Sequence, residues 1–125
     1  MFTAFHTVEV SLPKPPSLNE YYAGKHWTSR KRKTDAAREA VCVLLKEQQP
    51  PQMEVELYKI YLRSNGRTDI DNRIIAVKTL NDAMEKDLGW IPSDNPSVFK
   101  GLNIVQDDSL GKNEYLATIT FYGNR

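Results

Sequence analysis

A single cysteine, Cys42, among 125 residues leaves no partner for an internal disulfide and no thiolate set for a structural zinc site. That usage fits a reducing compartment, and the cytoplasm is the expected location. The two histidines, His6 and His26, stand twenty residues apart without ligand-spaced partners, which again speaks against zinc. No run approaches the ~20 apolar residues of a membrane span, and residues 1–13 lack the basic start and unbroken apolar stretch of a signal peptide. No membrane partner is expected. An excess of one charge is missing too: 17 Lys/Arg face 16 Asp/Glu, a formal net charge of +1. This excludes a disordered polyelectrolyte and gives no overall basic signature for nucleic acid, so any electrostatic signal must lie in how the charges are distributed.

What is present suffices for one compact domain, expected over residues 1–125, with 40% hydrophobic and 26% charged residues. Thr7 to Leu12 alternates polar and apolar residues and predicts a strand, closed by Pro13, Pro15 and Pro16. The aromatic and polar stretch from Ser17 to Thr28 has no period and reads as a loop. Ala36, Ala37, Ala40, Val41, Leu44 and Leu45 recur at spacings of three and four, predicting an amphipathic helix from about Ser29 to Gln48, before Pro50 and Pro51. Met53 to Leu62 reads as a second strand that loses its alternation near Tyr58, as a bulge or two-sided burial would cause. A second helix is predicted from Asp71 to Asp87, stopping before Gly89. Val98 to Val105 and Tyr115 to Phe121 read as strands joined by a polar hairpin turn. The order β-α-β-α-β-β predicts an α/β (α+β) domain, a small mixed sheet with two helices. Cys42, among Ala40, Val41 and Leu44, reads as a small core residue.

The near-neutral total conceals a basic arm. Between Lys14 and Arg38 there are seven basic and two acidic residues. Lys25, Arg30, Lys31, Arg32 and Lys33 are interleaved there with His26, Trp27, Thr28 and Ser29, a mixture that can grip phosphates and stack on exposed bases. Such a run also describes a solvated helix start. Cations sit poorly at a helix N-terminus, where the macrodipole is positive, and this favours the phosphate reading.

Asp69 and Asp71 lie two residues apart where an extended segment meets a helix, so in an extended conformation both carboxylates point to one side. Such a pair repels unless it holds a hard cation or shares a proton. Asn72 adds a neutral oxygen ligand or a cap, and Lys78, seven residues past Asp71, returns to the same helical face. Arg67 and Arg73 flank the pair as candidate phosphate contacts. An aspartate at a helix start is also a common N-cap, so the pair gains weight only from its surroundings.

Those surroundings are Arg67-Thr-Asp-Ile-Asp-Asn72, preceded by Pro15-Pro-Ser-Leu-Asn-Glu-Tyr-Tyr22 and followed by Lys78, Asp82-Ala83 and Trp90. Over nearly its whole length the chain resembles the RusA family of Holliday junction resolvases. The resemblance implies a Mg²⁺-dependent homodimer, with Mn²⁺ as a substitute metal, that cuts opposed strands of a four-way junction during DNA recombination and repair. It also implies metal-binding roles for Asp69 and Asp71 and a phosphate or transition-state role for Lys78. Two positions depart from the family pattern. The lysine follows the second aspartate by seven residues rather than four, and the Asp-Asp pair usual after the tryptophan is replaced by Ile91-Pro-Ser-Asp-Asn95. Counting back from Val98 places Asp94 on the first of that pair and Asn95 on the second, and a one-residue slip places Asp94 on the second. Asp94 is therefore the expected third metal ligand and catalytic carboxylate. Asp107-Asp108 imitates the pair in letters but reads as a solvated turn. Two rival expectations stand beside cleavage: a junction-binding protein of the same fold with weak or lost cleavage, and a metal-dependent enzyme acting on a small phosphorylated molecule.

Overall fold

Alternation of buried and exposed side chains builds each strand of this protein. In the structure, a computed structural model, residues 2–15, 27–65 and 70–124 are described, with side chains for all of these except 27–30 and 70–72. Strand β1 (Phe2–Leu12) buries Val8, Val10 and Leu12 and exposes Thr7, Glu9 and Ser11. It begins five residues earlier than the alternation predicts, because a bulge between Ala4 and His6 shifts the phase of its first half. Helix α1 (Trp27–Lys46) turns Val41 and Leu45 into the core. Strand β2 (Leu57–Ser64) buries Tyr58, Ile60 and Leu62, and its bulge against the neighbouring strand falls between Tyr58 and Lys59.

Helix α2 (Ile70–Asp82) continues into a π-helical turn (Ala83–Asp87). The turn is closed by Leu88 N–H on the Ala83 carbonyl at 3.0 Å. Gly89, at φ +64°, supplies the left-handed residue that ends the helix, and Trp90 N–H reaches back across it to Met84 O at 2.8 Å. Strands β3 (Phe99–Gln106) and β4 (Tyr115–Asn124) complete a four-stranded sheet of order β1-β4-β2-β3. The result is a single small α+β domain with a mixed sheet and two helices. Its core gathers Tyr58, Leu62, Leu80, Met84, Ile119 and Phe121, all with essentially no solvent exposure. Among the described residues, no helix is long and apolar enough to cross a membrane.

The expected hairpin between β3 and β4 does not form. β2 lies between them, parallel to β3 and antiparallel to β4. The direction of β3 follows from the length of α2. Its thirteen α-helical residues and five-residue π turn span ~27 Å, close to the ~26 Å of the eight-residue β2. The helix therefore returns the chain to the N-terminal end of β2, and β3 must start there and run parallel. Residues 107–114 then cross the end of β2 to reach β4, and Asp107 N–H on Ser64 O at 2.9 Å extends the β2–β3 ladder by one bond.

Cys42 is 7% exposed and belongs to the core. Its thiol donates to Asp87 Oδ2 at 3.2 Å, and Arg38 Nε holds the same oxygen at 2.9 Å, so α1 is fastened to the π turn. Burial, then the adjacent Asp87 carboxylate, pushes the thiol pKa up to about 11. A raised acid pKa means that the folded state favours the thiol. At pH 8 a disulfide reagent is therefore expected to label Cys42 only as fast as the protein opens, and at once in denaturant. Rapid labelling of the native protein would refute this account of the α1 contact.

Candidate metal and DNA site

The parallel pairing of β2 and β3 gives the sheet two chemically distinct ends. At the C-terminal ends of these strands, Gln106 connects three segments. Its Oε1 accepts from Arg73 Nη2 near the start of α2, while its Nε2 donates to Asn65 Oδ1 at 3.1 Å and to Asp108 Oδ1 at 3.2 Å. Asn65 in turn donates to the Leu110 carbonyl at 2.6 Å. Asp107 accepts from the Ser109 hydroxyl at 2.6 Å and the Ser109 N–H at 3.0 Å, and lies 3.3 Å from Arg63 Nη1. Those Ser109 bonds, with Arg63 adding to them, hold its carboxyl below the usual aspartate range. Ser64 Oγ is fully buried beside this cluster without a hydrogen-bond partner. Asp107 is thus a half-buried structural carboxylate rather than the solvated turn residue expected from sequence. Asp108 is exposed.

The helix start carrying Asp71 belongs to this end, since α2 begins a few residues beyond Ser64. Asp71 occupies the first turn of α2 in backbone terms. Asp69 and Arg67 lie outside the described residues. Lys78 follows Asp71 by two helical turns, is exposed, and approaches Asp82 Oδ2 at 3.9 Å. Asp82 is shared with Lys86 at 3.8 Å, so this pairing is loose and screened by solvent.

Asp94 lies at the other end. It is exposed in the loop before Phe99, and the register runs from Tyr58 opposite Phe99 to Ser64 opposite Gln106. Six residues of strand, about 20 Å, separate this end of the β2–β3 pair from the end where α2 starts. One protomer therefore does not bring Asp94 and Asp71 together. Asp94 instead lies close enough to Tyr58 for its charge to act on the phenol. The Tyr58 hydroxyl donates to Asn81 Oδ1 at 2.7 Å, and burial, followed by the charges of Asp94 and Glu85, holds that phenol protonated far above its ordinary range. Asn95, the alternative occupant of the third acidic position, is committed to its own turn. Its Oδ1 accepts from the Ser97 N–H and hydroxyl, and its carbonyl accepts from the Val98 and Phe99 amides. Trp90 packs its ring edge-on against Phe121 at 6.2 Å and anchors this loop.

The basic arm is partly helical. Residues 27–33 form the first turns of α1, which starts two residues earlier than its periodicity predicts. Lys31, Arg32 and Lys33 are exposed there, Arg30 occupies the same turn in backbone terms, and Lys25 lies outside the described residues. Successive helical residues are 100° apart, so these cations fan around the helix rather than line one stripe. Arg38, the last cation of the arm, is taken by Asp87 and is structural.

The donors at the Asp71 end are hard oxygens from aspartate, asparagine and glutamine, with no thiolate or imidazole among the described residues there, a set that fits Mg²⁺ or Mn²⁺ rather than zinc. Among the described residues, no three His, Cys, Asp or Glu side chains gather as a complete metal cage. Sequence reasoning missed Gln106 and Asn65, and its only available signal was the polar run Gln106-Asp-Asp-Ser109 directly after a strand. No protein-family model matches the chain, and no curated protein matches it.

Proposed function

We propose that the protein is a Mg²⁺-dependent endonuclease of the RusA type, acting as a homodimer on four-way or similarly branched DNA in a reducing, cytoplasmic setting. The observation that carries this reading is the position of the α2 start. It sets Asp71 at the C-terminal ends of two parallel strands, where α/β folds commonly place ligands, beside an oxygen-rich cluster and with Lys78 exposed two turns along. Asp69 and Asp71 would hold the metal, which supplies Lewis acidity and an activated water when bound. Lys78 would offset charge on the phosphoryl oxygens. Lys25, Arg30, Lys31, Arg32 and Lys33, with Arg67 and Arg73, would hold the DNA backbone. Cutting two related strands needs two sites, which a C₂ dimer provides.

The separation of Asp94 from Asp71 supports a second reading, a junction-binding protein of this fold with weak cleavage. The two are distinguished on a labelled synthetic four-way junction beside linear duplex. Paired, Mg²⁺-dependent nicks that fall at least a hundredfold in Asp71→Asn are the expected result. Tight junction binding in EDTA without nicks from either protein would establish the binding reading. Neither binding nor nicking would refute both.

A further inference from the structure

The face of the sheet opposite the helices has no covering element among the described residues, and its chemistry is distinctive. Tyr61, 38% exposed, stands near its centre on β2. Arg63 lies over the Tyr61 ring with Cζ 5.8 Å from the centroid, and Lys59 lies over the Tyr122 ring with Nζ at 5.3 Å. The register sets hydroxyl and amide side chains around the centre of this face, where Tyr61 is flanked by Thr118 on β4 and Asn103 on β3 and Lys59 by Thr120 and Gly101, while Arg63 lies between Leu116 and Val105. Gly101 leaves the space that the Lys59 stem fills, since a Cβ there would meet Lys59 Cγ at 3.2 Å. Acidic groups stand at the margins, with Glu9 across Thr118 on β1 and Asp107 already engaged by Arg63.

From this arrangement we infer that the open sheet face binds single-stranded nucleic acid, with Tyr61 as a stacking platform for an unpaired base and Lys59 as the cation for a flanking phosphate, Arg63 being held by Asp107. The favoured occupant follows from charge and ring chemistry. An exposed tyrosine beside a lysine, set among threonine and asparagine side chains, suits planar bases on a polyanion, whereas a sheet-on-sheet dimer core calls for apolar side chains at these central positions. Lys59 lies over a tyrosine ring, so its stem is already held against the sheet and its charge is directed along the face where a phosphate would pass. The surface is distinct from the α2 start and the α1 cations, and it requires no metal.

The test uses the full chain in EDTA, with a short fluorescent oligothymidylate and, separately, a labelled duplex, both followed by anisotropy. Tyr61→Leu is expected to weaken oligothymidylate binding roughly 5- to 100-fold while leaving duplex binding unchanged, and Tyr61→Phe is expected to restore it. Lys59→Gln is expected to lower the salt dependence by about one phosphate contact. Light scattering reports the oligomeric state of each variant, and thermal melting confirms that it is folded. Unchanged oligothymidylate affinity in folded Tyr61→Leu would overturn the inference, as would absence of binding by the wild type. If Tyr61→Leu instead becomes monomeric with its oligothymidylate affinity intact, the face belongs to a second copy of this chain.

Discussion

Asp71→Asn and Asp94→Asn proteins, each inactive alone, are expected to regain nicking when mixed under conditions that allow subunits to exchange. The expectation combines the proposed homodimer with the topology of β2 and β3. Asp71 sits with the C-terminal ends of these strands and Asp94 precedes their N-terminal ends. If both serve one metal, they meet only across a protomer boundary. A two-fold axis passing near the middle of α2, by Lys78, would lay the start of one α2 beside the end of the other. In a mixed dimer one of the two sites then receives Asp71 from one chain and Asp94 of the partner subunit, while the other site carries both changes. Random exchange makes half of the dimers mixed, so activity should recover to roughly a quarter of the wild-type sites, as single nicks rather than paired ones. If the third carboxylate comes from the same chain, every mixed site carries one defect and nothing recovers. Asp108, bonded to Gln106 at the Asp71 end, is the carboxylate which the fold offers for that outcome. Loss of nicking in Asp108→Asn, with no recovery in the mixture, would assign it.

The parts of this fold that were legible in the sequence are those set by local periodicity. Val8, Val10 and Leu12 announce β1, and the spacing of Val41, Leu44 and Leu45 announces α1. Gly89 marks the end of α2 because few other residues accept its positive φ. The order of elements follows directly. What failed was strand pairing, since alternation in β3 and β4 records which face of each strand is buried but not which strand lies beside it. The length of α2 relative to β2 fixes only that β3 runs parallel to β2. The candidate site divides in the same way. The Asp69-x-Asp71 string is a local pattern and could be read, but the contacts of Gln106 with Asn65 and Arg73 span 41 and 33 residues of chain, and the polar run that begins at Gln106 does not tell which residues it meets. For the same reason, proximity in a motif suggested that Asp94 joins Asp71, while the parallel register sets them at opposite ends of the sheet.

Phe121→Ala is expected to be the most destabilising single truncation at the end of the sheet that carries Asp94. The ring is fully buried and lies between three others: His6 stacked at 5.9 Å, Tyr58 tilted at 6.4 Å and Trp90 edge-on at 6.2 Å. Removing it subtracts the transfer free energy of the ring and leaves a cavity that β1, β2 and β4 are too tightly paired to close, a cost of about 3–5 kcal/mol. Set against the 5–15 kcal/mol typical of a domain, that loss brings the protein close to its folding threshold. Tyr58→Phe provides a graded comparison, because it keeps the ring and its stacking on Phe99 at 4.9 Å but leaves Asn81 Oδ1 buried without its donor, a cost of about 1–3 kcal/mol. Urea titrations should show midpoints falling in the order wild type, Tyr58→Phe, Phe121→Ala, with a common slope. If Phe121→Ala loses less than Tyr58→Phe, the aromatic cluster is not the packed unit described. The order also bears on function, since Trp90 anchors the loop that carries Asp94 by leaning on Phe121. A folded Phe121→Ala protein at low temperature should therefore lose nicking in proportion to Asp94→Asn while retaining the duplex affinity proposed for α1.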